Sequence, residues 1–127
     1  MEAIAVLADK VARRYYEIPK EQRNGKCQIT ASSSFFIPKP FTPFQWAKMY
    51  KNEEYIARAA IVKHAFQNQL NRKSLKYNWH DAEVTVLEGV LARGDRRVAD
   101  VIMTAYQMGC IYDAWTEHFD YEKWLKA

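Results

Sequence analysis

The most suggestive charged run in the chain is Arg93-Gly94-Asp95-Arg96-Arg97. Arginines in the first turn of a helix oppose its dipole, so helix stability does not ask for them. Their planar forks suit carboxylate or phosphate, which makes Arg93, Asp95, Arg96 and Arg97 candidates for an anion site or an interdomain ion-pair network. The alternative is a solvated turn bridged by Asp95, Asp100 or Glu88. A second candidate is the polar edge Gln28, Thr30, Ser32, Ser34. Its side chains are neutral and mostly small, as suits a strand face that looks into a cavity; an ordinary half-exposed strand is the alternative. Ser32, Ser34, Lys39 and Gln45 are the cavity candidates.

Metal chemistry finds little support. His64, His80 and His118 have no ligand spacing with one another or with Cys27 and Cys110, and no metal site is assigned. His80-Asp81 reads as an acid–base pair or, better, as a capping cluster. Asp113, Glu117, His118 and Asp120 form an acidic knot among aromatics. No Gly-rich phosphate loop, nucleophile elbow or Cys-His pair occurs. The two cysteines, read as buried small hydrophobes, cannot supply the three clustered thiolates that an iron–sulfur centre commonly needs. They also point to a reducing, cytoplasmic setting.

The elements that would position these residues follow from periodicity. Ile4, Leu7, Ala8, Val11, Ala12 and Tyr15 predict a helix over 2–17 with one apolar stripe. Residues 27–37 alternate as a strand, with Cys27, Ile29, Ala31, Phe35 and Ile37 on the apolar face. Pro38, Pro40 and Pro43 stiffen the following loop, whose Phe41, Phe44 and Trp46 call for a packing partner. Tyr55, Ala59, Val62, Phe66 and Leu70 mark a helix over 53–73. A short strand alternates through Leu75, Tyr77 and Trp79. Asp81 caps a helix to about Ala92, with Val84, Leu87 and Leu91 inward. Asp95 caps the next, with Val98, Val101, Ile102 and Ala105 inward and Gly109 at its end. Asp120 caps a last short helix, with Phe119 and Trp124 as a hydrophobic staple.

At 127 residues, 49% apolar and 27% charged, the chain suits one ordinary folded domain. It has no apolar run long enough to span a bilayer and no secretory leader is visible, so a membrane partner is not expected. The net charge of +4 is mild, and the bases are scattered among acids. The order helix, strand, helix, short strand, helices predicts an α/β fragment. Two strands are too few for a complete parallel sheet. Self-association through an exposed sheet edge is therefore expected.

The stretch Ile29-Thr30-Ala31-Ser32-Ser33-Ser34-Phe35-Phe36-Ile37-Pro38-Lys39-Pro40-Phe41-Thr42-Pro43-Phe44-Gln45-Trp46 resembles a late barrel strand and loop of radical S-adenosylmethionine enzymes. The nearest likeness is to an uncharacterised group often fused to a cobalamin-binding-like domain. Trp79-His80-Asp81, the block from Leu87 to Arg97 and the tail from Gly109 to Phe119 resemble further motifs of that group. The resemblance runs from about Gly25 onward. It implies the end of a partial (β/α) barrel over 1–80, with a helical C-terminal extension over 81–127. It also implies that Ser32, Ser34, Phe36, Pro38 and Lys39 lie near the cofactor at the barrel mouth.

The family's Cys-x-x-x-Cys-x-x-Cys motif is absent, as are the earlier strands. The resemblance therefore implies an iron-sulfur oxidoreductase whose 4Fe-4S cluster and S-adenosylmethionine need a missing N-terminal part of the same protein. The fragment itself is expected to bind no cofactor and to be inactive alone. The rival reading is a basic helical nucleic-acid-binding or interaction module, resting on the pI of about 9.1 and on Arg13-Arg14, Arg72-Lys73 and Arg96-Arg97. The interleaved acids and core-like aromatics make nucleic acid the less expected partner.

Overall fold

A computed structural model describes residues 1–127. The chain is mixed α/β, with five α-helices and one two-stranded parallel sheet. It divides into two compact units, Met1–Phe35 with Asn52–His80, and Phe36–Lys51 with Asp81–Ala127. One of the boundaries lies after His80. The proline loop, however, belongs with the later helices rather than with the strands.

The first unit holds α1 (Ala3–Tyr16), β1 (Ile29–Ser33), α2 (Asn52–Gln67) and β2 (Leu75–Trp79). β1 and β2 are parallel, in the register Ile29↔Leu75, Ala31↔Tyr77 and Ser33↔Trp79. α2 is the crossover helix between them, as parallel neighbours require. Ile29, Ala31, Leu75 and Tyr77 pack against a core of Ala5, Ala8, Val62, Ala65 and Phe66. The opposite face carries Thr30, Ser32, Lys76 and Asn78, all exposed. Helices thus cover one side of the sheet only, and each strand keeps one unpaired edge. β1 is shorter than the alternation over 27–37 suggested, because its ladder ends where the five residues of β2 end.

α1 corrects the expected stripe. Its buried face is Ala5, Ala8, Asp9 and Ala12, while Ile4, Leu7 and Val11 are exposed, Leu7 by 64%. Small residues win the inner face because they let the helix backbone approach closely, whereas larger aliphatics would hold it off. The buried charge among them is fully engaged. The Asp9 carboxylate accepts bonds from the Asn71 backbone N–H (2.9 Å) and side-chain amide (3.0 Å), and from Arg13 Nε (2.6 Å). This ties α1 to the turn after α2. Tyr16 Oη and the buried Ser74 Oγ, 2.7 Å apart, make a second tie one turn further along.

α2 buries Tyr55, Ala59, Val62 and Phe66 as the spacing predicts. It ends at Gln67, before a 3-10 turn at Arg72–Ser74, and so leaves Leu70 78% exposed instead of on the stripe. Phe66 stacks on Tyr77, and Tyr77 on Trp79. Ser33 Oγ and Tyr77 Oη, 2.6 Å apart, link the strands.

The second unit holds the loop Phe36–Lys51, α3 (Ala82–Arg93), α4 (Val98–Gln107) and α5 (Tyr121–Lys126). Asp81 caps α3 by accepting from Glu83 N and Val84 N, and Asp120 caps α5 by accepting from Lys123 N. Gly109, at φ 90°, takes the left-handed position after α4, and Cys110 N then reaches back to Ala105 O. α3 buries Ala82, Thr85 and Gly89 rather than Leu87 and Leu91. The reason lies at Gly89, where Met49 of the loop packs so close that a Cβ would collide with its thioether.

Burial raises the Asp9 carboxyl, but the bonds from Asn71 and Arg13 outweigh it and hold the group below the usual carboxylate range. Its contribution to stability is complete above about pH 4 and is lost as pH falls through that lowered value. Asp9→Ala should cost about 2 kcal/mol in urea unfolding at neutral pH, because Asn71 loses a buried acceptor. Asp9→Asn should be the less stable at pH 6, and its gap to the unmodified chain should narrow towards pH 2.

Candidate functional site

Three polar regions could do chemistry, and they are built differently. The first is the open face of β1. Thr30, Ser32 and Ser34 alternate to the side away from α1 and α2, and all are exposed. Ser33, on the covered side, is the hydroxyl already bonded to Tyr77. The polar row therefore has free hydroxyls on the side away from the helices. Ser32 and Ser34 fall in the first unit; Phe36, Pro38 and Lys39, grouped with them in the sequence, fall in the second.

The second region is the proline loop on α3. Ile37 and Pro38 are buried, and Met49 lies over Gly89. Arg93, in the last turn of α3, donates to the carbonyl oxygens of Pro38 and Gln45. Lys39 Nζ lies 3.3 Å from Glu88 Oε1. Gln45 Oε1 accepts from Phe41 N, and Thr42 Oγ1 donates to Lys39 O, closing a tight bend. Phe41 sits in this bend at φ 61°, a backbone region that bulky residues rarely enter. The root of the loop is packed, but its aromatic tip is not. Phe41 is 99% and Trp46 89% exposed, and Phe44 meets only the edge of Phe36 among aromatic rings.

This geometry separates the arginine cluster. Arg93 is a clamp on backbone carbonyls rather than an open anion fork. Arg97 folds back on Asp95 at 2.9 and 3.1 Å, and Asp95 also accepts from Arg97 N. Those bonds from Arg97 hold the Asp95 carboxyl below the usual carboxylate range. Arg96 is exposed. Glycine is needed between the helices, because a Cβ on Gly94 would lie 2.8 Å from Val90 O.

The acidic knot lies beside a cavity of about 530 Å³ lined by Glu83, Glu117, His118, Asp120, Lys123 and Tyr112, among others. Asp120 is committed to its cap. Asp113 Oδ1 is buried without a hydrogen-bond partner. Nowhere do three His, Cys, Asp or Glu side chains converge as a metal would need. Beside the knot, burial pushes the Cys110 thiol up, and Asp113 adds to the shift. His80 is exposed beside the Asp81 cap.

The third region was only half legible. Arg72-Lys73 stood out as a basic pair, but Lys63 and Lys76 did not. The fold brings all four to a groove of about 610 Å³ along α2 and β2. The missed signal is the absence of any acid from His64 to His80.

No family model, no curated protein and no solved structure matches the chain. No helix is long and apolar enough to cross a membrane.

Two predictions follow from the loop and the thiol. Arg93→Ala should leave α3 intact by circular dichroism but release the loop, so that trypsin cuts after Lys48 faster in the variant. Arg93→Lys should recover only part of the protection, since an ammonium on its flexible stem is not held in place as the planar guanidinium holds Nη1 between the two carbonyls. In the native chain, Cys27 should react with a disulfide reagent at pH 8 well before Cys110, which should become reactive on unfolding.

Proposed function

We propose that this chain is the C-terminal region of a radical S-adenosylmethionine oxidoreductase, supplying one wall of a partial (β/α) barrel and a helical cap. The observation that carries the reading is the sheet. Its two parallel strands are roofed by helices on one face, while the other presents Thr30 and Ser32. A barrel wall is built this way, with helices outside and alternate strand residues turned to the lumen. The motif resemblance from Ile29 to Trp46 and from Leu87 to Arg97 supports the same reading.

The chain's own residues do not fit the cluster. Cys27 is half-buried in the first unit and Cys110 is buried in the second, with no third thiolate to join them. Under this reading the cluster ligands reside in another part of the enzyme, and no step is assigned to this chain through that group. The role left to these residues is positional. Ser32 and Ser34 offer hydroxyls to a polar ligand in the lumen, and Arg93 holds Pro38 and the loop in place. The unpaired edges of β1 and β2 are where neighbouring strands of the barrel would join.

The test has two arms. Anaerobic reconstitution of this chain with iron and sulfide should give no stoichiometric 4Fe-4S absorption. A stoichiometric cluster that cleaves S-adenosylmethionine would overturn the reading. In the second arm, the chain is co-expressed with the polypeptide encoded directly upstream. The two should co-purify, and the upstream reading frame should contain Cys-x-x-x-Cys-x-x-Cys. Ser32→Val with Ser34→Val should then weaken S-adenosylmethionine binding by about tenfold, the loss expected when polar partners are removed from a buried ligand. An upstream frame with no such motif would also overturn it.

A further inference from the structure

We propose that the seam between the C-terminal half of α2 and β2 binds single-stranded nucleic acid. The inference goes beyond the barrel reading and does not use the hydroxyls of Thr30, Ser32 and Ser34 on which that reading draws. Lys63, Arg72, Lys73 and Lys76 line one groove with Leu75 and Tyr77, and no carboxylate is among the residues that form it. None of the four cations has an ion-pair partner, whereas Arg13, Arg14, Lys39, Arg97 and Lys123 all do. All four are exposed. Unneutralised cations held close together repel one another, and a polyanion relieves that repulsion while releasing its own counterions.

The aromatic component decides between polyanions. Trp79 is 39% exposed, stacks on Tyr77 at 5.4 Å between ring centroids, and has Lys63 Nζ 5.7 Å from its centroid. A π-surface beside cations suits a base next to its phosphate. A free phosphate has no use for the indole. A bilayer surface favours a protruding patch, and this one is concave. A duplex hides its base faces, so an unpaired strand is the better fit.

Because Lys63, Arg72, Lys73 and Lys76 line the same groove, a bound strand should contact several cations at once. Fluorescence anisotropy of the 127-residue chain with labelled oligouridylate tests this. The logarithm of affinity should fall with the logarithm of salt at a slope of about −2 to −3, as for three or four phosphate contacts on a single strand. Arg72→Glu with Lys73→Glu should weaken binding by tenfold or more. Lys10→Glu with Lys20→Glu makes the same charge change elsewhere and should weaken it by less than about threefold, through the overall field alone. Trp79→Leu keeps an apolar side chain but removes the stacking surface, and should cost about tenfold. Circular dichroism of each variant confirms that it is folded.

Three results would overturn the proposal. One is no anisotropy change at low salt. Another is equal weakening by the two charge-reversal pairs. The third is tighter binding to a uridylate–adenylate duplex or to phosphatidylserine vesicles than to the single strand.

Discussion

The first unit depends on one buried carboxylate. α1 reaches the sheet through alanines, which bring little apolar area and so little hydrophobic stabilisation of their own. Asp9 makes up for that poverty by direction. Its two oxygens collect the backbone and side chain of Asn71 and the guanidinium of Arg13, so the helix can seat at only one height against the turn after α2. Because that turn leads straight into β2, the register of helix, turn and strand is specified together. A larger apolar residue at position 9 would add area and lose this specificity.

The second unit solves a related problem with a different group. The three prolines of the loop interrupt its run of backbone donors, and it joins no ladder. It is held instead by what it can accept: Arg93 reaches two of its carbonyls from the end of α3. The side chain that the sequence marks as an anion fork is thereby spent on the backbone. This is an economical arrangement, since a cation at a helix C-terminus is also favoured by the dipole.

Much of the element order was legible. The helix of Ala82–Arg93, its Asp81 cap, the Asp120 cap and the four-residue core stripe of α2 follow directly from residue type and spacing. The orientation of α1 was not, because periodicity ranks large aliphatics above alanines. Tertiary contact reverses that order when two backbones must come close. Nor can spacing reveal that Leu70 lies past a helix end set by a 3-10 turn. The candidate sites show the same division. The polar row of β1 is a local alternation and could be read; the basic groove joins Lys63 to Lys76 through the packing of α2 against β2, which no local pattern encodes. The arginine run could be read as charge, but not how its members divide: Arg97 pairs with Asp95 in the turn, while Arg93 turns to the carbonyls of the loop.

The bend at Phe41 bears on what the loop is for. A phenylalanine with positive φ is strained by about 1–2 kcal/mol relative to glycine, and here its ring also lies bare in solvent. Folding economy would favour glycine or asparagine at this spot. The strain is thus spent on a bend that carries an apolar ring outward, clear of the protein.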